Sequence, residues 1–276
     1  MFHIKRFSSI TFIALWMLIF TQANFAQISE FKITASDGAV DDWFGYSVAI
    51  DGDYAVVGAP WEDDGTVNNS GAAYIYFRSN GVWSEQAKLI SSEADWNDNV
   101  GFAVSISGDY AILGSHNGAA YIFVRNGTSW TEQAILNPES GAGNSFFGRS
   151  VAIDGDYAIV GAYWDDDQGT EAGAAYIFHR SGSTWSQEAK IYANDAETED
   201  EFGYSVSIDG DYAVIGARWA DQEGYTDEIG YAYVFLRSGT TWSQQTRLAA
   251  SDGTWGDYFG SSVSINGNNI VVGAVE

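Results

Sequence analysis

Three stretches of this 276-residue chain set tryptophan beside clustered acids: Trp61-Glu62-Asp63-Asp64, Trp164-Asp165-Asp166-Asp167, and Trp219 with Asp221. Carboxylates this dense suit three kinds of chemistry. They are hard oxygen ligands of the sort Ca2+ takes. Two at a suitable separation would hydrolyse a glycosidic bond. Beside tryptophan faces they frame a site for a sugar or a protein surface. The pattern selects none of these, because runs of adjacent acids lack the alternation of a known metal loop, and any two carboxylates would serve equally as a catalytic pair. A solvated surface that keeps the chain soluble is the fourth reading and needs no ligand. Nucleophilic catalysis has less to build on. There is no Cys, and beyond residue 26 only His116 and His179 remain, neither beside a Ser or Asp partner that would complete a catalytic set. The sequence therefore points to binding rather than catalysis. An extracellular carbohydrate-active enzyme, a glycoside hydrolase or lyase on the same scaffold, is the alternative.

The N-terminus sets the compartment. Lys5 and Arg6 precede an apolar run from Ile10 to Phe20, and a short polar stretch then ends on Ala26. That is the layout of a secretory signal peptide cleaved after Ala26, so 1–26 is expected to be removed and 27–276 secreted or held at the cell surface. The apolar run is shorter than the roughly 20 residues a bilayer-spanning helix takes, so the mature chain is expected to have no membrane span. Losing Lys5 and Arg6 leaves 10 of the 12 basic residues against 37 acidic ones, a formal net charge of −27. Such a charge repels nucleic acid and anionic lipid, and leaves an extracellular protein or glycan as the expected partner. With no disulfide available, burial and hydrogen bonds must hold the fold, and 11 Trp, 16 Tyr and 16 Phe supply the apolar surface.

The acids sit in the gaps of a repeat. Phe44-Gly45, Val100-Gly101, Phe147-Gly148, Phe202-Gly203 and Phe259-Gly260 each open an apolar run, and each run enters a tight polar turn such as Asp51-Gly52-Asp53. A second run follows and ends in Gly58-Ala59, Gly114-Ser115, Gly161-Ala162, Gly216-Ala217 or Gly273-Ala274. Two short apolar runs about a glycine turn read as a β-hairpin. A third run (72–78, 119–125, 174–180, 231–237) is apolar at nearly every position, which means burial on both faces. A fourth opens at Trp83, Trp130, Trp185 or Trp242, where packing within the unit is the expected role of the ring. Four strands in about 50 residues make one propeller blade. The expected fold is therefore all-β: a β-propeller of four-stranded antiparallel blades over 43–91, 100–137, 146–193 and 202–250, with a partial fifth at 259–276. Lys32-Ile33 falls where Lys88-Leu89 and Lys190-Ile191 fall, so 28–35 is expected to be a fourth strand completing that last blade.

The paired Phe-Gly and Gly-Ala ends, seen most fully in Phe44-Gly45 and Gly58-Ala59-Pro60, resemble the FG-GAP repeat and its bacterial form, similar to the propeller of integrin α subunits. The likeness covers 28–276 and implies a propeller that works in adhesion or ligand binding. It also implies calcium loops between the first and second strands, but these five turns are too short to supply the roughly six to eight oxygens Ca2+ needs. Any Ca2+ would have to be held by the longer acidic loops.

In a four-stranded meander the loops joining strands 4 to 1 and 2 to 3 share one rim. That rim is expected to carry most of the 37 acids, the three tryptophan–acid clusters and the long variable loops where binding usually lives. Counting from 28–35 leaves the array one strand short of a closed five-bladed ring. An incomplete propeller with exposed ends is expected, or two chains that complete each other.

Overall fold

The computed structural model describes residues 30–63, 65, 67–93, 95–139, 145–221 and 228–275. The expected signal peptide and Asp64 lie outside the described residues. The chain divides into Met1–Lys32 and Ile33–Glu276, and the second unit holds all the structure considered below.

The first blade is β1 (Val48–Asp51), β2 (Tyr54–Ala59), β3 (Ala72–Ser79) and β4 (Val82–Leu89). The second is β5 (Ala103–Ser107), β6 (Tyr110–Gly114), β7 (Ala120–Asn126) and β8 (Ser129–Leu136). The third is β9 (Ser150–Asp154), β10 (Tyr157–Ala162), β11 (Ala174–Ser181) and β12 (Thr184–Ile191). The fourth is β13 (Phe202–Asp209), β14 (Tyr212–Ala217), β15 (Tyr231–Ser238) and β16 (Thr241–Leu248). The partial fifth is β17 (Ser262–Asn266) with β18 (Asn269–Gly273). Each complete blade is an antiparallel meander in chain order, and β17–β18 is a two-stranded sheet. The fold is the all-β propeller with a partial fifth blade that the repeat implies.

The strand expected over 28–35 is the exception. Residues 30–35 form no strand, and 28 and 29 lie outside the described residues. Among the described residues the fifth sheet holds β17 and β18, and neither pairs with this segment. Side-chain contacts anchor its end instead. Ser36 gives its backbone N–H and its hydroxyl to Glu85 at 2.8 and 2.7 Å, as Ser92 does to Glu132 one blade later.

The Phe-Gly and Gly-Ala glycines meet where blades join. Gly101, Gly148, Gly203 and Gly260 have φ between 87° and 97°, a conformation L side chains rarely adopt. Their carbonyls lie against Gly58, Gly114, Gly161 and Gly216 of the preceding blade, where any Cβ would overlap the oxygen. Around this contact Val56, Ile112, Ile159 and Val214, all fully buried, face Val104 and Ile106, Val151 and Ile153, Val206 and Ile208, and Ile265 of the following blade. The recurrent tryptophans also serve the joint. The ring N–H of Trp130, Trp185 and Trp242 donates to Gln86, Gln133 and Glu188 of the preceding blade at 3.0–3.2 Å.

Candidate ligand-binding site

The two loop types expected on one rim do lie together: Trp61, His116, Trp164 and Trp219 give their backbone N–H to Asp42, Asp98, Ser145 and Asp200 at 2.8–3.4 Å. The tryptophan–acid clusters flank this seam. Their first acid points inward. Glu62 is buried and paired with Lys88, which also reaches Asp37 at 2.7 Å, and Asp37 accepts the Tyr74 hydroxyl at 2.7 Å. Asp165 is fully buried and holds Lys190 at 2.8 Å and the Tyr176 hydroxyl at 2.8 Å. Lys190 also binds Asp167 at 2.6 Å, and Tyr192 donates to the same carboxylate. The lysine hydrogen bonds hold Asp37 and Asp167 below the usual carboxylate range, whereas burial raises Glu62. In the fourth blade the buried Ala220 takes this inward position.

The acid two residues past each tryptophan shapes the β2–β3-type loop. Asp63 accepts the Asn69 N–H at 2.7 Å, Asp166 that of Glu171 at 2.8 Å, and Asp221 that of Glu228 at 2.5 Å. Most of these acids are therefore committed to lysines or backbone. Among the described residues no group of three or more His or acidic side chains is placed to hold a metal ion.

The tryptophans lead elsewhere. Trp61 lies against Trp43, with ring centroids 4.2 Å apart and the ring planes tilted by 39°, and touches Tyr46 and Phe102. Tyr46 meets Phe102 at 4.6 Å, Phe102 meets His116 at 5.5 Å, and His116 meets Phe146 at 4.9 Å. Phe146 contacts Tyr163 and Trp164, and Tyr163 meets Tyr204 at 5.5 Å. Arg149 lies 3.7 Å over Phe102, and Arg218 sits 3.7 Å over Tyr204 and 5.2 Å from Trp219. The result is an unbroken aromatic belt across four blades.

The belt residues come from three positions about the motif: the residue before the Phe-Gly pair (Trp43, Phe146), the residue after its glycine (Tyr46, Phe102, Arg149, Tyr204) and those just past the Gly-Ala end (Trp61, His116, Tyr163, Trp164, Arg218, Trp219). A sequence model of the FG-GAP repeat matches residues 29–76, 83–123, 130–178, 185–235 and 242–276. The chain belongs to the FG-GAP repeat family. The belt is thus built from residues bordering the family's own motif. A comparison with curated proteins gave no match. Among solved structures, the computationally designed Ika4 protein aligns over 76% of this chain and 100% of its own, at 12% identity and a TM-score of 0.46.

In this FG-GAP chain the turns where integrin-type repeats carry calcium loops do structural work. Asp51, Asp154 and Asp209 accept N–H groups of Gly108, Gly210 and Gly267 in the next blade at 2.5–2.8 Å. Asp53, Asp109, Asp156 and Asp211 pair with Arg78, Arg125, Arg180 and Arg237.

Two clefts open beside the belt. One, of about 260 Å3, is lined by Trp43, Trp61, Asp37, Asp41, Asp42, Glu62 and Asp63. The other, of about 410 Å3, is lined by Asp195, Glu197, Asp200, Asp221, Tyr233 and Arg247. Asp200 is buried there, and desolvation pushes its carboxyl up to about 7. Along the belt, His116 Nδ1 and Arg149 Nε are buried with no hydrogen-bond partner. Burial, aided by Arg149, lowers the His116 pKa.

Sequence reasoning placed Trp61, Trp164 and Trp219 at the site and missed Trp43's contact with Trp61, as well as Tyr46, Phe102, Phe146, Tyr163 and Tyr204. The register of the repeat was the available signal, since every missed residue lies within two positions of one of its glycines.

Proposed function

We propose that this chain is an exported, non-catalytic binding module of the adhesion type, which takes a glycan or glycosylated protein on its aromatic belt. The cleft at the belt's first-blade end carries the proposal. Two tryptophans in contact, their rings tilted by 39°, stand beside acids there, in a space of about 260 Å3 that suits a sugar unit. Flat rings take the apolar face of a sugar, and carboxylates accept its hydroxyls. Trp43 is 55% exposed and Tyr46 42%, so ring surface remains open to a ligand.

The test is a panel of glycans and matrix proteins, probed with the native chain and with Trp43→Ala. Binding that the substitution lowers at least tenfold is the expected result. Turnover of a polysaccharide, abolished by replacing one rim carboxylate, would establish the glycoside-cleaving alternative instead. Export has its own readout: mass spectrometry of secreted material should find an N-terminus at Gln27, and an intact Met1 in the cytoplasm would end that part of the proposal.

A further inference from the structure

Three blades set a cation opposite a tyrosine across their last two strands: Lys88 opposite Tyr74, Lys190 opposite Tyr176 and Arg247 opposite Tyr233. The second blade has Ile135 there, opposite Tyr121, and its short β6–β7 loop carries no acid. In the first and third blades a buried acid from the β2–β3-type loop meets the lysine. Glu62 holds Lys88, and Asp165 holds both Lys190 and the Tyr176 hydroxyl. The fourth blade keeps the cation and the tyrosine but has Ala220 in the acid's place. The backbone fixes that equivalence. The N–H groups of Glu62, Asp165 and Ala220 donate to Ala59, Ala162 and Ala217 at 3.1–3.3 Å. Their carbonyls accept from Gly71, Gly173 and Gly230 at 2.9–3.1 Å. A methyl therefore stands where the other two blades project a carboxylate.

The missing carboxylate leaves two marks. The first is open space. Glu62 lines the first-blade cleft, and neither Tyr74 nor Lys88 does. In the fourth blade Tyr233 and Arg247 line the cleft directly, and its volume is about 410 Å3 against about 260 Å3. The second mark is an underused cation. Lys88 pairs with both Asp37 and Glu62, and Lys190 with both Asp165 and Asp167. Arg247 reaches Asp195 through Nη1 at 2.7 Å, lies 4.1 Å over Tyr231, and makes no second ion pair among the described residues.

We propose that the fourth-blade cleft binds the carboxylate of an acidic sugar, a uronic acid unit of a glycan, where Glu62 and Asp165 stand in the other blades. Arg247 and the Tyr233 hydroxyl donate to that carboxylate as Lys190 and Tyr176 donate to Asp165. A guanidinium suits the task, because its remaining N–H groups present a fork that matches a carboxylate. The rest of the lining selects a sugar. Asp195, Glu197, Asp200 and Asp221 are acceptors for hydroxyl groups, and Ala196 alone among the described lining residues is apolar, which leaves little for a peptide side chain. These acids do not exclude an anion. Asp37, Asp42 and Asp63 take the corresponding places in the first blade, and Glu62 is held beside them by a single lysine. The chain's net charge opposes an acidic glycan at long range. Salt at about 0.15 M screens that repulsion beyond roughly 8 Å, and the contact with Arg247 acts within it. The inference rests on the glycan-binding reading above and adds to it a second subsite with its own sugar class.

The test is calorimetric titration of the whole chain with oligosaccharides of glucuronate and of galacturonate, each beside its methyl ester and a neutral glucose oligomer. The native chain should bind at least one acid oligosaccharide at least tenfold more tightly than its ester. Ala220→Asp supplies the missing carboxylate from the chain itself, with the residue type the third blade carries, and should lower that affinity at least tenfold. Arg247→Met should do the same by removing the donor, and circular dichroism with a thermal melt verifies that both variants fold. Equal affinity for acid and ester, or no binding of either acid oligosaccharide, would overturn the proposal. So would acid-sugar binding that neither variant weakens. Neutral-glycan binding that Trp43→Ala lowers, found without any acid-sugar binding, would overturn this inference and uphold the first-blade cleft. Acid-sugar binding lost in Ala220→Asp, with no glycan affected by Trp43→Ala, would uphold the inference and overturn that cleft instead.

Discussion

Lys88 and Lys190 carry more of this structure than their number suggests. Lys190 is mostly buried and stands between Asp165, fully buried, and Asp167. Burial alone would favour its neutral form, but the hydrogen bonds to Asp165, Asp167 and Tyr176 outweigh that and raise its pKa. Removing one partner of a buried pair leaves the other charged and desolvated, which costs about 3 kcal/mol. Lys190→Met should therefore destabilise the chain by about that amount in urea unfolding at neutral pH. Asp165→Asn in the same chain should recover part of that loss. Asp200 behaves in the opposite sense. Its folded pKa of about 7 lies above the ordinary value of 3.8, so the folded state binds its proton more tightly. Stability from this group is fully present below about pH 4 and is lost as pH rises toward and through 7. Asp200→Asn keeps an oxygen to accept the Glu197 N–H that Asp200 now accepts at 2.7 Å. That variant should melt higher than the native chain at pH 8 and close to it at pH 4, and equal melting at both pH values would show that the carboxyl is not desolvated as described.

At the scale of the element, the joint explains the family motif. The Phe-Gly and Gly-Ala glycines touch across neighbouring blades, and neither has room for a side chain. Gly161→Ala should cost about 3 kcal/mol, because its methyl would overlap the Gly203 carbonyl and two packed sheets would have to separate. Gly273→Ala, the same change at the last blade, should cost about 1 kcal/mol or less, since a serine side chain is all that must move. Comparing the two melts measures the joint rather than the glycine. The blades were legible in the sequence because the repeat fixes both strand length and motif position. Residues 30–35 were misread as strand because their sequence matches β4, whereas no described strand pairs with them, and strand formation depends on the neighbour. The inward lysine pairs were equally hidden, since Lys88 and Lys190 lie a full strand and loop away from Glu62 and Asp165. The belt was half visible. Its tryptophans stood out in acidic loops, but Tyr46, Phe102 and Tyr204 sit among strand-like residues, and which side of a strand's first turn faces the neighbouring rings is settled only by packing.

The molecule as a whole carries 37 acids against 12 basic residues, and eight of the bases are paired with specific acids. Arg78, Arg125, Arg180 and Arg237 neutralise turn acids on the rim opposite the belt. Lys88, Lys190, Arg218 and Arg247 neutralise Glu62, Asp165, Glu201 and Asp195 beside it. The remaining acids repel one another, and they do so across solvent, where mobile ions screen charges beyond roughly 10 Å at 0.1 M salt. The melting temperature should therefore rise with NaCl. A cation bound in a site would act differently, stabilising the folded state by mass action at concentrations set by its affinity. The described carboxylates converge on lysines, arginines and backbone N–H groups rather than on a common point. Ca2+ should then act as a screening ion. Thermal melts in Ca2+ and Mg2+ at equal concentration should give the same increment, and EDTA should leave a melt in NaCl unchanged. A rise seen with Ca2+ alone, at concentrations too low to alter ionic strength and reversed by EDTA, would instead show a calcium site formed by the acidic loops.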